Sequence, residues 1–164
     1  MTILFRTCCG PCLSGSYPIL EAEIGKGQTS VFWENPNIHP FVEHYQRMAS
    51  FIKMAKIYEL PIVKGNAEYG LNRFLEALNG HYGSERCAIC YRLRLEATAQ
   101  KAQELGFDEI STTLLISPYQ NHELLQKVGN EAAEKYNVRF HYTERFLTNQ
   151  VVEYAKLTLF PGNF

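Results

Sequence analysis

No uninterrupted apolar stretch among the 164 residues approaches the ~20 needed to cross a bilayer. The first apolar run, Ile3 to Phe5, stops at Arg6, far short of the roughly 7–15 residues of an export-signal core, so the expected compartment is the cytoplasm. An excess of charge is missing too. With 16 Lys+Arg against 17 Asp+Glu the net charge is −1, and any nucleic-acid binding has to come from a local patch. No glycine-rich phosphate loop follows the first predicted strand, which disfavours ATP as a substrate. Repeats, low-complexity tracts and linkers are absent. A content of 46% hydrophobic and 20% charged residues then predicts one globular domain over residues 1–164.

Cysteine is scarce but grouped. The five cysteines stand at positions 8, 9, 12, 87 and 90: three in TCCGPC, two in RCAICY. An odd number without an export signal argues against a disulfide framework. Two separated clusters, each containing a two-residue gap, suit a thiolate metal site, and softness alone does not decide between zinc and iron–sulfur. Five sulfurs exceed the four of a closed zinc site. Adjacent cysteines such as Cys8 and Cys9 rarely serve one small ion, which favours an extended iron–sulfur site.

Periodicity orders the chain. Thr2 to Thr7 predicts a strand leading into the first cysteine loop, with Ser14 as the N-cap of the following helix. Gln28 to Trp33 predicts a second strand ending in the ENPNIHP loop. Phe41, Tyr45, Met48, Ile52 and Ala55 recur at helical spacing over 41–58. A short strand at Pro61–Val63, a helix over 68–78 and a polar loop over 79–86 bring the chain to Cys87. A helix over 91–105 closes at Gly106, and strand 108–113 runs into LLISPYQNH. A helix over 123–136, a strand over 138–142 and a helix over 151–159 complete the series. The alternation predicts an α/β fold: an open parallel sheet with helices on both faces. Its ligand site is expected beyond the strands' carboxyl ends, where TCCGPC, ENPNIHP and TTLLISPYQNH meet.

Two other readings compete. Cys9-Gly10-Pro11-Cys12 after a strand matches the dithiol of thioredoxin-like thiol–disulfide oxidoreductases, with Pro61 as a candidate cis-proline. A zinc-stabilised, non-catalytic RNA-binding module is the other. Arg86, Arg92 and Arg94 crowd the second cysteine pair and suit a phosphate-binding patch, with Tyr91 and Tyr119 to stack on bases. Among the histidines, only His122 lies in the third loop and qualifies as a proton donor; Tyr119 is a second candidate.

The combination of TCCGPC, FWENPNIHP and ERCAICYRLRL with ISTTLLISPYQNHELL resembles the QueH family of epoxyqueuosine reductases over residues 2 to about 136. That resemblance implies a HUP or Rossmann-like three-layer sandwich in which metal ligands replace the nucleotide loop. It implies two-electron reduction of the epoxide of epoxyqueuosine, at the wobble position of tRNA, with an external electron donor and no membrane. It further implies a [4Fe-4S] cluster and a neighbouring mononuclear iron. By position, Cys8, Cys9, Cys87 and Cys90 match the family's metal-binding cysteines and Cys12 the fifth site. Asn35, Asn37, Arg94, Ser117 and Gln120 match positions that shape the substrate pocket. The family's Y-x-x-Y-C-G-C-like segment has no counterpart after Cys90.

Overall fold

The computed structural model describes residues 1–66 and 68–147. Its order is β1 (Ile3–Arg6), α1 (Gly10–Ile24), β2 (Thr29–Phe32), α2 (Phe41–Ile57), β3 (Ile62–Val63), α3 (Leu71–Leu78), α4 (Arg86–Leu105), β4 (Glu109–Thr112), a 3₁₀ turn at Thr113–Ile116, α5 (His122–Lys135), β5 (Arg139–Phe140) and a 3₁₀ turn at Glu144–Leu147. The helix expected over 151–159 lies outside the described residues.

The five strands form one sheet in the order β3-β2-β1-β4-β5, and every pairing is parallel. β1 is central: Ile3, Leu4 and Phe5 are fully buried, as a strand covered on both faces requires. The chain moves outward from β1 to β3, then crosses back to β4 on the other side of β1. Right-handed crossovers therefore put α1 and α2 on one face and α4 and α5 on the other. The packing of α1 on α2, and of α3 and α5 on α4, agrees. The direction of winding reverses between β1 and β4, which is where a crevice opens in such sheets.

Three local expectations need correction. Ser14 does not cap α1. The helix starts at Gly10, and the Cys9 Sγ accepts from the Cys12 N–H as the N-cap, while the Ser14 hydroxyl bonds the Pro11 carbonyl at 2.9 Å. Pro11 sits in the first turn, where its missing N–H costs nothing. α4 begins at Arg86 rather than 91, so Cys87 and Cys90 ride on its first two turns instead of preceding it. The cis X–Pro bond among the described residues is His39–Pro40, not the one before Pro61. The end of α4 is as expected: Gly106 takes the left-handed conformation (φ 76°) that favours glycine, and its N–H closes onto the last turn.

Candidate metal centre

β1 ends at Arg6 and delivers Cys8 and Cys9 directly to the crevice, while β4 ends at Thr112 and delivers Thr113 opposite them. The two exits are tied together. The Cys8 N–H donates to Thr113 Oγ1 at 3.1 Å, and the Thr113 hydroxyl donates to Cys8 Sγ at 3.3 Å. The first turn of α1 brings Cys12 back over Cys8, their sulfurs 2.9 Å apart, with Cys9 Sγ 3.8 Å from Cys8 Sγ. All three sulfurs lie within 4.8 Å of one another, and all three are free thiols. Three soft donors converging on one point have the chemistry of a thiolate metal site.

The charge around them is arranged to match. The Cys8 thiol is held well below its ordinary value, first by its hydrogen bond with Cys12, then by that with Cys9, with help from the Arg6 charge. Cys12, hydrogen-bonded with Cys8 and Cys9 and itself buried, is pushed up. Thiols must shed their protons to ligate a metal, so metal uptake at this trio is coupled to proton release. Arg6, fully buried beneath this group, is pushed down to about 9 by burial first and Arg94 second, and stays charged at neutral pH.

A cavity of about 410 Å³ opens over the sulfurs, within the ordinary range for a small-ligand site. All three predicted loops line it: Cys8, Cys9 and Cys12 from the first, Asn35, Asn37 and Ile38 from the second, and Thr113, Leu114 and the run Ile116 to Gln120 from the third. Of the sequence-predicted residues, Asn35, Asn37, Arg94, Ser117, Tyr119 and Gln120 reach the wall. Asn37 Oδ1 is buried there and accepts no hydrogen bond from the described residues. Tyr119 is 66% exposed at the mouth.

Other predicted residues lie elsewhere. Cys87 is exposed and Cys90 half-buried at the start of α4, outside the group of three sulfurs. They share the rim nonetheless, because a helix that follows β3 and returns to β4 starts at the strands' carboxyl edge. Arg94, on the same helix, lines the cavity and donates to the Cys90 carbonyl at 3.2 Å. Arg6 lies in electrostatic reach of Cys90 as well as of Cys8 and Cys12. Arg86 is exposed at the start of α4, and Arg92 faces α5, paired with Glu131 at 3.1 Å. Tyr91 is 4% exposed; its hydroxyl donates to Gln120 Oε1 and accepts from the Asn121 N–H, so it braces the third loop. His122 does not line the cavity. Its Nε2 bonds the Ser117 carbonyl at 2.8 Å and its Nδ1 lies 3.4 Å from the Tyr142 hydroxyl.

Sequence reasoning missed four groups on α2. Glu43, Gln46, Arg47 and Ser50 form the cavity's remaining wall, with Glu43 and Arg47 paired at 2.6 Å. Their spacing of three and four was readable as a helix stripe, but nothing in it said that the stripe faced a cavity. Thr113 and Arg6 were missed for the same reason.

Fold and site together define an α/β protein whose switch-point crevice is furnished with thiols in place of a phosphate loop. The sequence profile of the family described as epoxyqueuosine reductase QueH matches residues 3–159, and the chain belongs to that family. It is 32% identical over 149 residues to epoxyqueuosine reductase QueH of Streptococcus pyogenes serotype M1, covering 85% of this chain and 56% of that protein. It is 33% identical over 149 residues to the protein of that name from Thermotoga maritima, covering 86% and 73%. For the Helicobacter pylori protein the identity is 35% over 144 residues, covering 84% of this chain and 38% of the relative. The chain thus spans about half the length of the streptococcal relative and less of the Helicobacter one.

Proposed function

We propose that the protein is an epoxyqueuosine reductase acting on the wobble nucleoside of a tRNA, with the modified base held in the cavity. The coincidence of the thiol trio with that cavity, in a chain of the QueH family, carries the reading. The reaction breaks both C–O bonds of the epoxide and forms the cyclopentene double bond. It consumes two electrons from an external donor and two protons, and the oxygen leaves as water.

Cys8, Cys9 and Cys12 would hold the metal, with Cys87 and Cys90 as further ligands from the start of α4. A bound [4Fe-4S] cluster with a neighbouring iron supplies electron relay and a Lewis acid for the epoxide oxygen. The chain's own groups orient and enclose. Asn37 Oδ1, the buried acceptor without a partner, takes a hydrogen bond from the substrate, and Asn35, Ser117 and Gln120 shape the base pocket. Tyr91 and His122 fix the loop that carries Ser117 and Gln120. Tyr119, at the mouth, stacks on a base or passes a proton inward from water. Arg86 and Arg94 serve the RNA backbone and the sulfur centre respectively.

The test is anaerobic loading with iron and sulfide, followed by turnover of tRNA containing epoxyqueuosine with a chemical reductant. Wild type is expected to take on broad visible absorbance and to convert the nucleoside to one lacking an oxygen; Cys8→Ala abolishes both. Colourless protein that retains zinc and still binds tRNA would overturn the reading in favour of a non-catalytic module. Activity that needs Cys9 and Cys12 but survives Cys87→Ser and Cys90→Ser would instead indicate a thiol–disulfide oxidoreductase.

A further inference from the structure

Two guanidinium groups are buried beside the thiol trio, and no carboxylate pairs with either among the described residues. Arg6 is 0% exposed at the last paired position of the central strand. Its Nε donates to the Glu34 carbonyl oxygen at 3.2 Å, its Nη1 to Thr112 Oγ1 at 3.4 Å and its Nη2 to Asn35 Oδ1. All three acceptors are neutral. Asn35 is itself locked, its amide donating to the Thr7 carbonyl at 2.9 Å. Arg94, 5% exposed, donates to the Cys90 carbonyl and lies with its guanidinium carbon 5.8 Å from the Tyr91 ring centroid.

The nearby carboxylates are committed elsewhere. Glu34 turns its oxygens to Arg73 at 2.9 Å and to the Asn66 N–H at 3.3 Å, and Glu43 pairs with Arg47. A buried cation with only neutral partners is costly, and proteins keep one when an anion shares its site. The acidic groups in electrostatic reach of Arg6 are the sulfurs of Cys8, Cys90 and Cys12, which are thiolates when they ligate a metal. Cys8 follows Arg6 by two residues and Cys90 precedes Arg94 by four, so each cysteine group arrives with its own cation. Local sequence supplies each pair, and the crossover from β3 to β4 brings both to one rim.

We propose that Arg6, seconded by Arg94, is the fixed counter-charge of the thiolate centre, a positioning residue that sets how much negative charge the bound metal group holds and therefore how readily it accepts an electron. The inference rests on the metal-site reading given above. A fixed positive charge beside the centre favours its reduced form, which carries one more negative charge. Hydrogen bonding alone would tie β1, β2 and β4 without touching that balance.

The experiment compares wild type, Arg6→Met, Arg6→Lys and Arg94→Met. Each is loaded anaerobically with iron and sulfide and titrated against redox dyes; metal-free samples of each are titrated with Co²⁺, read by thiolate charge-transfer absorbance. Arg6→Met is expected to disfavour the reduced form at least tenfold, which is about 59 mV for one electron, and to weaken Co²⁺ binding at least tenfold. Arg6→Lys, which keeps the charge, restores most of both losses. Arg94→Met moves both in the same direction, which keeps the idea testable if Arg6→Met does not fold. Loaded variants with wild-type potential and wild-type Co²⁺ affinity would overturn the counter-charge and leave the metal-site reading standing. Wild type that takes up neither iron–sulfur nor Co²⁺ through its thiols would remove both.

Discussion

Cys8 and Thr113, 105 residues apart in the chain, hold each other across the crevice by a reciprocal pair of hydrogen bonds: backbone N–H to Oγ1 at 3.1 Å, and hydroxyl to Sγ at 3.3 Å. This clasp sets the position of the first sulfur relative to the neighbouring strand. Thr113→Val keeps the shape and removes both bonds. Its expected stability loss is about 1–3 kcal/mol, because the Cys8 N–H is left without its acceptor. Retention of metal against a chelator should fall as well, and Thr113→Ser should recover both. Chemical denaturation and a chelator competition read the two effects.

At Gly10 the backbone of α1 runs close against α2. A Cβ there would run into the Ser50 carbonyl, and the Gly10 N–H already donates to Ser50 Oγ at 3.0 Å. Gly10→Ala is expected to cost about 1–3 kcal/mol by overpacking against backbone that cannot retreat. It should also disturb the cavity wall formed by Arg47 and Ser50. Denaturant unfolding checks the first effect, and substrate affinity the second.

His44 is 2% exposed, edge-on to Trp33 at 5.6 Å and to Tyr69 at 5.7 Å. Burial first, and the nearby His39 second, lower its pKa from the ordinary 6.5, and burial lowers that of His39 too. A depressed folded-state value means that the unfolded chain takes up the proton first. Stability from these histidines is therefore present above pH 6.5 and lost as the pH falls through their folded-state values. Unfolding free energies measured from roughly pH 8 down to roughly pH 5 should decline, and His44→Phe should flatten that decline. An unchanged slope in the variant would show that other groups carry it.

Tyr119 presents its ring at the cavity mouth. If a base of the RNA stacks there, Tyr119→Ala should weaken tRNA binding by about 1–3 kcal/mol, while Tyr119→Phe retains it. Loss of turnover in Tyr119→Phe at unchanged affinity would assign the hydroxyl to proton delivery instead. Binding and single-turnover rates, taken together, separate the two roles.

Much of the fold could be read in advance because local periodicity reports which face of an element is buried. Helix α2 begins at the expected residue and ends one residue short of the expected boundary, and all five strands fall within the expected segments. Boundaries near the cysteines were less legible. Cys9 caps α1 with its sulfur, a role that Ser14, five residues on, was better suited to by type. Helix α4 starts early although Glu85 offers no side-chain cap: the Arg86 and Cys87 N–H groups close onto the Gly83 and Ser84 carbonyls, a backbone turn that residue type does not announce. Tyr91 had the composition of a base-stacking residue and turned out to be a buried brace for Gln120, because residue type does not state which way a helix faces.

The order and spacing of the cysteines, the parallel alternation of strands and helices and the three loops gathered at one edge were all properties of the chain itself, since each depends on neighbours a few residues away. What the tertiary structure alone decided is the electrical character of the crevice. Arg6 reads in the sequence as the polar end of a strand and Arg94 as one of three surface cations, yet the fold buries both with no carboxylate partner among the described residues. The reason is that burial and pairing are set by which distant segments converge. The strand order sets Arg6 among the Glu34 carbonyl, Asn35 and Thr112, and no pattern along the chain records those partners.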